Sequence, residues 1–269
     1  MIQVVLERVL SVIGAYKAYE KWLWLQVKNG VKPEHIAIIL DGNRRWANEN
    51  ETHPLLIKDK WGHGGGADTV EQLLDWCHMI GVKYVTLYTF STENFARHTD
   101  EVAQIMQIAE ERFRKLLKDE RIHRDKVHVK VIGRTNLLPE SLRSTIKELE
   151  KATENYDCYF WNFAFAYGGR AEIVDAAKTI AKKVQANELK VDDITEGTFE
   201  KYLYTSHMTK QDPDMIIRTS GEERLSGFLL WQAAYSELLF LDVFWPDFRL
   251  IDLLRAIRVF QHRKRRFGA

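Results

Sequence analysis

Four short stretches hold most of the side chains able to do chemistry, and each follows an apolar run. "DGNRRWA" contributes Asp41, Gly42, Asn43, Arg44, Arg45 and Trp46; "STENFAR" contributes Ser91, Glu93, Asn94 and Arg97. "GGR" contributes Gly168, Gly169 and Arg170, and "RTSGEERLSG" contributes Arg218, Arg224 and Ser226. Arginine presents a planar fork that matches phosphate oxygens, whereas an acid beside it repels phosphate unless a cation lies between them. Asp41 therefore reads as a Mg²⁺ ligand, since Mg²⁺ takes one or two carboxylates and fills the remaining positions with water and phosphate oxygens. Gly42 and Asn43 tolerate backbone conformations that aim N–H groups at a ligand, and a helix starting near Arg44 adds its positive terminus. Alone, "DGNRRWA" also reads as a solvated turn beside two surface arginines. Four such loops converging on one crevice favour a polyanion site that needs a divalent cation.

That convergence requires elements that place the loops together. The runs "IAIIL" (36–40), "VKYVTLYTF" (82–90), "VHVKVIG" (127–133), "CYFWNFAFAY" (158–167), "MIIRT" (215–219) and "LLFLDVFW" (238–245) alternate with helical patterns such as "TVEQLLDWCHMIG", "EVAQIMQIAEERFRKLLKDE" and "RAEIVDAAKTIAKKVQA". This alternation predicts an α/β fold with a mainly parallel central sheet covered by helices on both faces. In such folds ligands bind beyond the carboxyl ends of the strands. The chain has 269 residues, 45% of them hydrophobic, enough for one sizeable core, and no Pro/Gly linker or repeat divides it. The expected organisation is an amphipathic helix over 1–30 followed by a single catalytic domain over 31–269.

Composition excludes several classes. Lysine and arginine total 39 against 38 acids, so no overall basic field recruits nucleic acid and any anion site is local. The two cysteines, Cys77 and Cys158, lie far apart, which argues against a disulfide framework or a zinc site and fits a reducing cytoplasm. "GHGGGA" (62–67) fits a dinucleotide fingerprint only if a buried strand precedes it, and "IKDKW" is not one. "DDITE" (192–196) is a single acidic cluster that reads as a helix start before "TFEKYL". The N-terminal 30 residues are broken by Glu7, Arg8, Lys17, Glu20 and Lys21, so no apolar run spans a bilayer. Val5, Val9, Val12, Tyr16 and Tyr19 form one helical face, with Trp22 and Trp24 towards the end. That face suits docking on this domain or a second subunit, or lying on a membrane surface.

"DGNRRWA", the "GH" at 62–63, "TLYTFSTENFAR" with Glu101 four residues on, "YGGRAEI" (167–173) and "IRTSGEERLSGFLLWQAAYSEL" (217–238) together resemble the signature regions of the cis-prenyltransferases, the family of undecaprenyl and dehydrodolichyl diphosphate synthases. The match is collinear over roughly residues 35 to 266, and "DGNRRWA" is of the archaeal and eukaryotic kind. The resemblance implies condensation of isopentenyl diphosphate with an allylic diphosphate, geranylgeranyl or farnesyl, to a Z-polyprenyl diphosphate that serves as a glycosyl carrier lipid precursor. It implies that Asp41 is catalytic and binds Mg²⁺, with Glu237 as second metal ligand near a dimer interface. It further implies that Gly42, Asn43, Arg44 and Arg45 cradle a diphosphate, that Trp46 forms an apolar wall and that His63 lies near the allylic diphosphate. Ser91, Thr92, Glu93, Asn94, Phe95 and Arg97 then position substrate and assist proton removal, where asparagine, a poor base, is better suited to orienting.

Arg218, Arg224, Leu225 and Ser226 match the isopentenyl diphosphate clamp, and Arg266 and Gly268 of "RRFG" match a C-terminal motif that reaches a neighbouring subunit, hence an expected homodimer. The grown chain needs an apolar tunnel, expected between helices 68–79 and 100–118 with Leu73, Leu74, Ile105, Met106 and Ile108. Departures from the pattern cluster around the allylic substrate: a longer 48–61 stretch, Asp59 for an arginine, Phe95 for tryptophan, His98 for proline and Ala166 for asparagine. They leave open a short or redirected product. A non-catalytic prenyl-binding partner subunit is the rival class, and such a subunit has no need of the metal-diphosphate residues retained here.

Overall fold

The computed structural model describes residues 14–50 and 61–263. Val5, Val9 and Val12, most of the 48–61 stretch with Asp59, and Arg266 and Gly268 lie outside them. In chain order the elements are α1 (Ala15–Val27), β1 (His35–Ile39), α2 (Asn43–Glu49), α3 (His63–Ile80), β2 (Tyr84–Ser91), α4 (Thr99–Leu117), α5 (Glu120–Arg124), β3 (Val127–Ile132), α6 (Glu140–Thr153), β4 (Tyr159–Tyr167), α7 (Gly169–Gln185), α8 (Glu196–Glu200), β5 (Met215–Arg218), β6 (Glu237–Phe240) and α9 (Leu250–His262).

All six apolar runs become strands of one parallel sheet in the order β3-β4-β2-β1-β5-β6. Every residue of β1 is buried, as a central strand covered on both faces requires. The two-residue period divides the core: Ile36 and Ile38 join the larger cluster with α3, α6 and α9, while Ala37 and Ile39 face a smaller one with Phe228 and Leu229. The acidic 192–196 segment is a helix start, with the Thr195 hydroxyl accepting the Thr198 N–H.

α1 docks on α9 of the same chain. Leu23 and Val27 are fully buried, continuing the stripe of Tyr16 and Tyr19 at helical spacing. Gln261 donates to the Val27 carbonyl at 3.0 Å, and the guanidinium groups of Arg249, Arg255 and Arg258 lie over Tyr16, Tyr19 and Trp22 at 5.4, 5.1 and 4.8 Å. No described helix is long and apolar enough to cross a membrane.

Candidate active site

The carboxyl ends of β1 and β5 are neighbours, with Ile39 paired to Arg218. Asp41 follows two residues past Ile39, and Thr219 fastens the turn: its hydroxyl donates to the Asp41 carbonyl at 2.7 Å and accepts the Asp41 N–H at 3.0 Å. Gly42 has φ +107°, and a Cβ there would meet the Phe244 ring at 2.7 Å, so no other residue fits without movement. The Asp41 carboxylate accepts from Arg218 at 2.8 Å and lies 3.4 Å from Arg45.

Arg218 is itself buried. Its second terminal nitrogen donates to Ser226 Oγ at 2.8 Å and to the Arg224 carbonyl, while its buried Nε has no hydrogen-bond partner among the described residues. Arg45 donates to Ser220 Oγ at 2.7 Å. Both serines have left-handed backbones, φ +48° at Ser226 and +77° at Ser220, the kind of strain that collects at ligand clamps. Burial alone raises the Asp41 pKa, but hydrogen bonds from Arg218 and Ser220 and the charges of Arg218 and Arg45 outweigh it, so the carboxyl is held below its ordinary value.

A second cluster forms across the crevice. Glu101, buried in the first turn of α4, accepts from Arg97 at 2.8 Å and shares a 3.2 Å hydrogen bond with His63 Nε2, with Arg44 at 4.0 Å. Burial raises its pKa too, yet His63 and Arg97 overcome this and keep it below the ordinary carboxylate value. In the sequence Glu101 stands out only as part of a motif, because Arg97 is extended backbone ahead of α4 and no helical period marks the pair. The Asn94 Oδ1 accepts the Ser91 N–H at 2.9 Å, so the one end of the amide able to take a proton is engaged and an orienting role suits it. His98 accepts the Asp100 N–H at 3.3 Å and caps α4, a role proline lacks the side chain to fill.

One crevice of about 810 Å³ is lined by Asp41, Asn43, His63, Ser91, Thr92, Glu93, Asn94, Arg97, Arg218 and Ser226, with Gly168, Gly169 and Arg170. Among the described residues, Gly42, Arg44, Arg45, Trp46, Phe95, Arg224 and Leu225 do not line it. Trp46 is buried against the first turn of α3, and Phe95 packs edge-on against Phe90 at 4.9 Å. Leu225 packs beside the smaller core cluster, and Arg224 is a largely exposed side chain paired with Glu222 at 2.5 Å.

The crevice shares Leu40, Asn43, His63, Thr89 and Ile105 with an apolar slot of about 160 Å³ between α3 and α4. Its floor is one face of β4, where Trp161, Phe163 and Phe165 alternate along the strand, and Leu74, Ile105 and Ile108 form its sides. Leu73 and Met106 do not line it. Both are core residues, turned away because an apolar helix stripe is wider than the part that faces a slot.

Among the described residues no three histidine, cysteine or acidic side chains gather as a metal cage. The donor set nonetheless fits Mg²⁺ held jointly with a diphosphate: Asp41 supplies one carboxylate, and Asn43, which lines the same crevice, has a buried Oδ1 with no hydrogen-bond partner among the described residues. Glu237 is not there. It begins β6, three residues upstream of Phe240, which pairs with Arg218, so it lies roughly 10 Å back along the strands; its carboxylate pairs with Arg263 at 2.5 Å.

A parallel sheet with an anion crevice opening into an apolar slot is the architecture of an enzyme for amphiphilic diphosphates. The chain belongs to the prenyltransferase family whose model is described as "Putative undecaprenyl diphosphate synthase", which matches residues 39–268. It is 51% identical over 254 residues to a tritrans,polycis-undecaprenyl-diphosphate synthase (geranylgeranyl-diphosphate specific) of Pyrococcus horikoshii, covering 94% of each chain. It is 53% identical over 260 residues to the enzyme of the same name from Methanopyrus kandleri, covering 96% of this chain and 93% of that one. Its structure resembles lavandulyl diphosphate synthase from Lavandula x intermedia in complex with dimethylallyl diphosphate, with TM-score 0.83 and 36% identity over 88% of this chain and 99% of the other. The chain is thus a cis-prenyltransferase of archaeal type, a transferase of prenyl groups.

Proposed function

We propose that this enzyme extends geranylgeranyl diphosphate with isopentenyl diphosphate units to a long Z-polyprenyl diphosphate, the precursor of a glycosyl carrier lipid. The observation that carries the reading is the continuity of the arginine-lined crevice with the apolar slot, which fits one molecule with a diphosphate head and a hydrocarbon tail. The names of the archaeal relatives support geranylgeranyl diphosphate over farnesyl diphosphate as the primer.

In this reading the allylic C–O bond breaks, the diphosphate departs, the double bond of isopentenyl diphosphate attacks the allylic carbon, and the proton released from the isopentenyl unit passes to the departed diphosphate. Arg218 and Ser226, fixed by one another, clamp one diphosphate, with Arg224 closing over it from the exposed rim. Gly42, Asn43, Arg44, Arg45, His63 and Arg97 hold the other, and Glu101 keeps His63 and Arg97 pointed at it. Ser91, Thr92, Glu93 and Asn94 orient the reacting ends where β2 closes. Asp41 holds Mg²⁺, which supplies positive charge to the leaving diphosphate when bound. The arginines around Asp41 are already in place, so little reorganisation accompanies the charge transfer.

The same reading makes the enzyme a homodimer in which Glu237 and the C-terminal Arg266 and Gly268 serve a neighbouring subunit's site. It assigns residues 31–269 to one catalytic domain working in the cytoplasm, preceded by a helix packed on α9. The test is incubation with labelled isopentenyl diphosphate, Mg²⁺ and, separately, dimethylallyl, geranyl, farnesyl and geranylgeranyl diphosphates, with chromatography of the products. A ladder of long chains formed best from geranylgeranyl diphosphate is expected. A single short product would replace this reading with that of a redirected synthase.

A further inference from the structure

The wall between α3 and α4 changes character along its length. Asp68, Glu71 and Asp75 recur at i, i+3 and i+7, so they share one face of α3. Each meets a base from the facing helices. Arg112 of α4 donates to Asp68 at 2.7 Å and Glu71 at 2.6 Å, Lys115 of α4 donates to Glu71 at 2.5 Å, and Arg121 of α5 donates to Asp75 at 2.8 Å. Glu71, Asp75, Arg112, Lys115 and Arg121 line the same slot as Leu74 and Ile108. A hydrocarbon cavity therefore has a row of ion pairs along one seam, where apolar packing would be the ordinary way to join two helices.

These pairs are half-exposed, with side chains between 30% and 60% accessible, and such pairs are individually weak and screened by salt. The slot they border, about 160 Å³, is smaller than the roughly 300 to 1,000 Å³ typical of a ligand pocket. A growing polyprenyl chain must spread α3 from α4, and spreading lengthens these ion pairs, which lie alongside the apolar packing of Leu73 and Met106 in the core.

We infer that the ion-pair row of Asp68, Glu71 and Asp75 with Arg112, Lys115 and Arg121 determines product length, by setting how far α3 and α4 separate as the chain grows. This rests on the reading of the slot as the site of the chain. The pairs act as reversible ties between the helices, so weakening them lets more isoprene units enter before the product leaves. Strengthening them shortens the product.

The experiment compares wild type with Arg112→Met plus Lys115→Met, which keeps the apolar stems and removes both charges of α4, and with Glu71→Gln, which weakens the row from the other helix. Each is given geranylgeranyl diphosphate, labelled isopentenyl diphosphate and Mg²⁺, and product lengths are resolved by chromatography at low and high salt. The expected result is a shift of the distribution by at least one isoprene unit towards longer chains in both variants. High salt should move wild type the same way and move the double variant less. Elongation with an unchanged or shortened distribution in both variants overturns the inference. Absence of elongation in wild type with any primer overturns the underlying functional reading instead.

Discussion

Asp41 sits where a carboxylate is costly to bury and is kept ionised by the arginines around it. Because its folded pKa lies below the unfolded value of roughly 3.9, its ion pairs favour the folded state above that value and are lost as pH falls through the folded pKa. Activity limited by Asp41 should therefore survive to below about pH 4, and a kcat/KM profile with its acid limb already at about pH 6 would show that another group governs. Glu101 should matter although it faces no reacting atom, since it holds His63 and Arg97 through one carboxylate oxygen. Glu101→Gln keeps the shape and removes the charge, and is expected to raise KM for the allylic diphosphate by about tenfold to a hundredfold with little change in KM for isopentenyl diphosphate. Equal effects on both would reduce Glu101 to a structural part. Asp41 and its neighbouring arginines read alone as a solvated turn, and only the recurrence of arginine, hydroxyl and acid beyond four apolar runs makes a polyanion site legible in the sequence. The hub at Glu101 is hidden from such reasoning, because its bond to His63 spans 38 residues and no local period reports it.

At the scale of elements, the apolar runs predicted all six strands, and a parallel sheet followed from the helices between them. Less was legible where one helix has to serve both a core and a slot: Leu73 and Leu74 are adjacent in sequence, yet only Leu74 lines the slot. The N-terminal helix shows the same limit. Tyr16 and Tyr19 were readable as its packing face, but the fully buried Leu23 and Val27 depend on where α9 lies. Leu23→Ala should destabilise the fold by about 2 to 5 kcal/mol, measured by urea unfolding. Trp22→Ala should cost about 1 kcal/mol or less, since Trp22 is 42% exposed and its described partners include Arg258 and Tyr19. Equal losses would mean that the helix is held by its aromatic rim and not by its buried stripe.

For the whole molecule, topology decides what a single chain can assemble. Placing β1 beside β5 brings Asp41 to Arg218 across 177 residues, and the α3–α4 slot opens from the same end of the sheet. The same topology leaves Glu237 at the opposite end of β6, so its use as a metal ligand requires a second subunit. Sedimentation of the purified enzyme should give a dimer, and Glu237→Ala should lower activity without dissociating it; a fully active monomer would remove the shared site. If the Asp41–Arg218 crevice performs prenyl transfer into the slot, single-turnover transfer from geranylgeranyl diphosphate to labelled isopentenyl diphosphate with Mg²⁺ reports it without interference from later steps. Wild type should give a Z-product one unit longer than the primer, and Asp41→Ala should be slower by at least about a hundredfold, with cooperative unfolding retained at a lower midpoint, since buried Arg218 loses its partner. Comparable rates from the two proteins would mean that the chemistry does not depend on Asp41 and that the crevice is not its site.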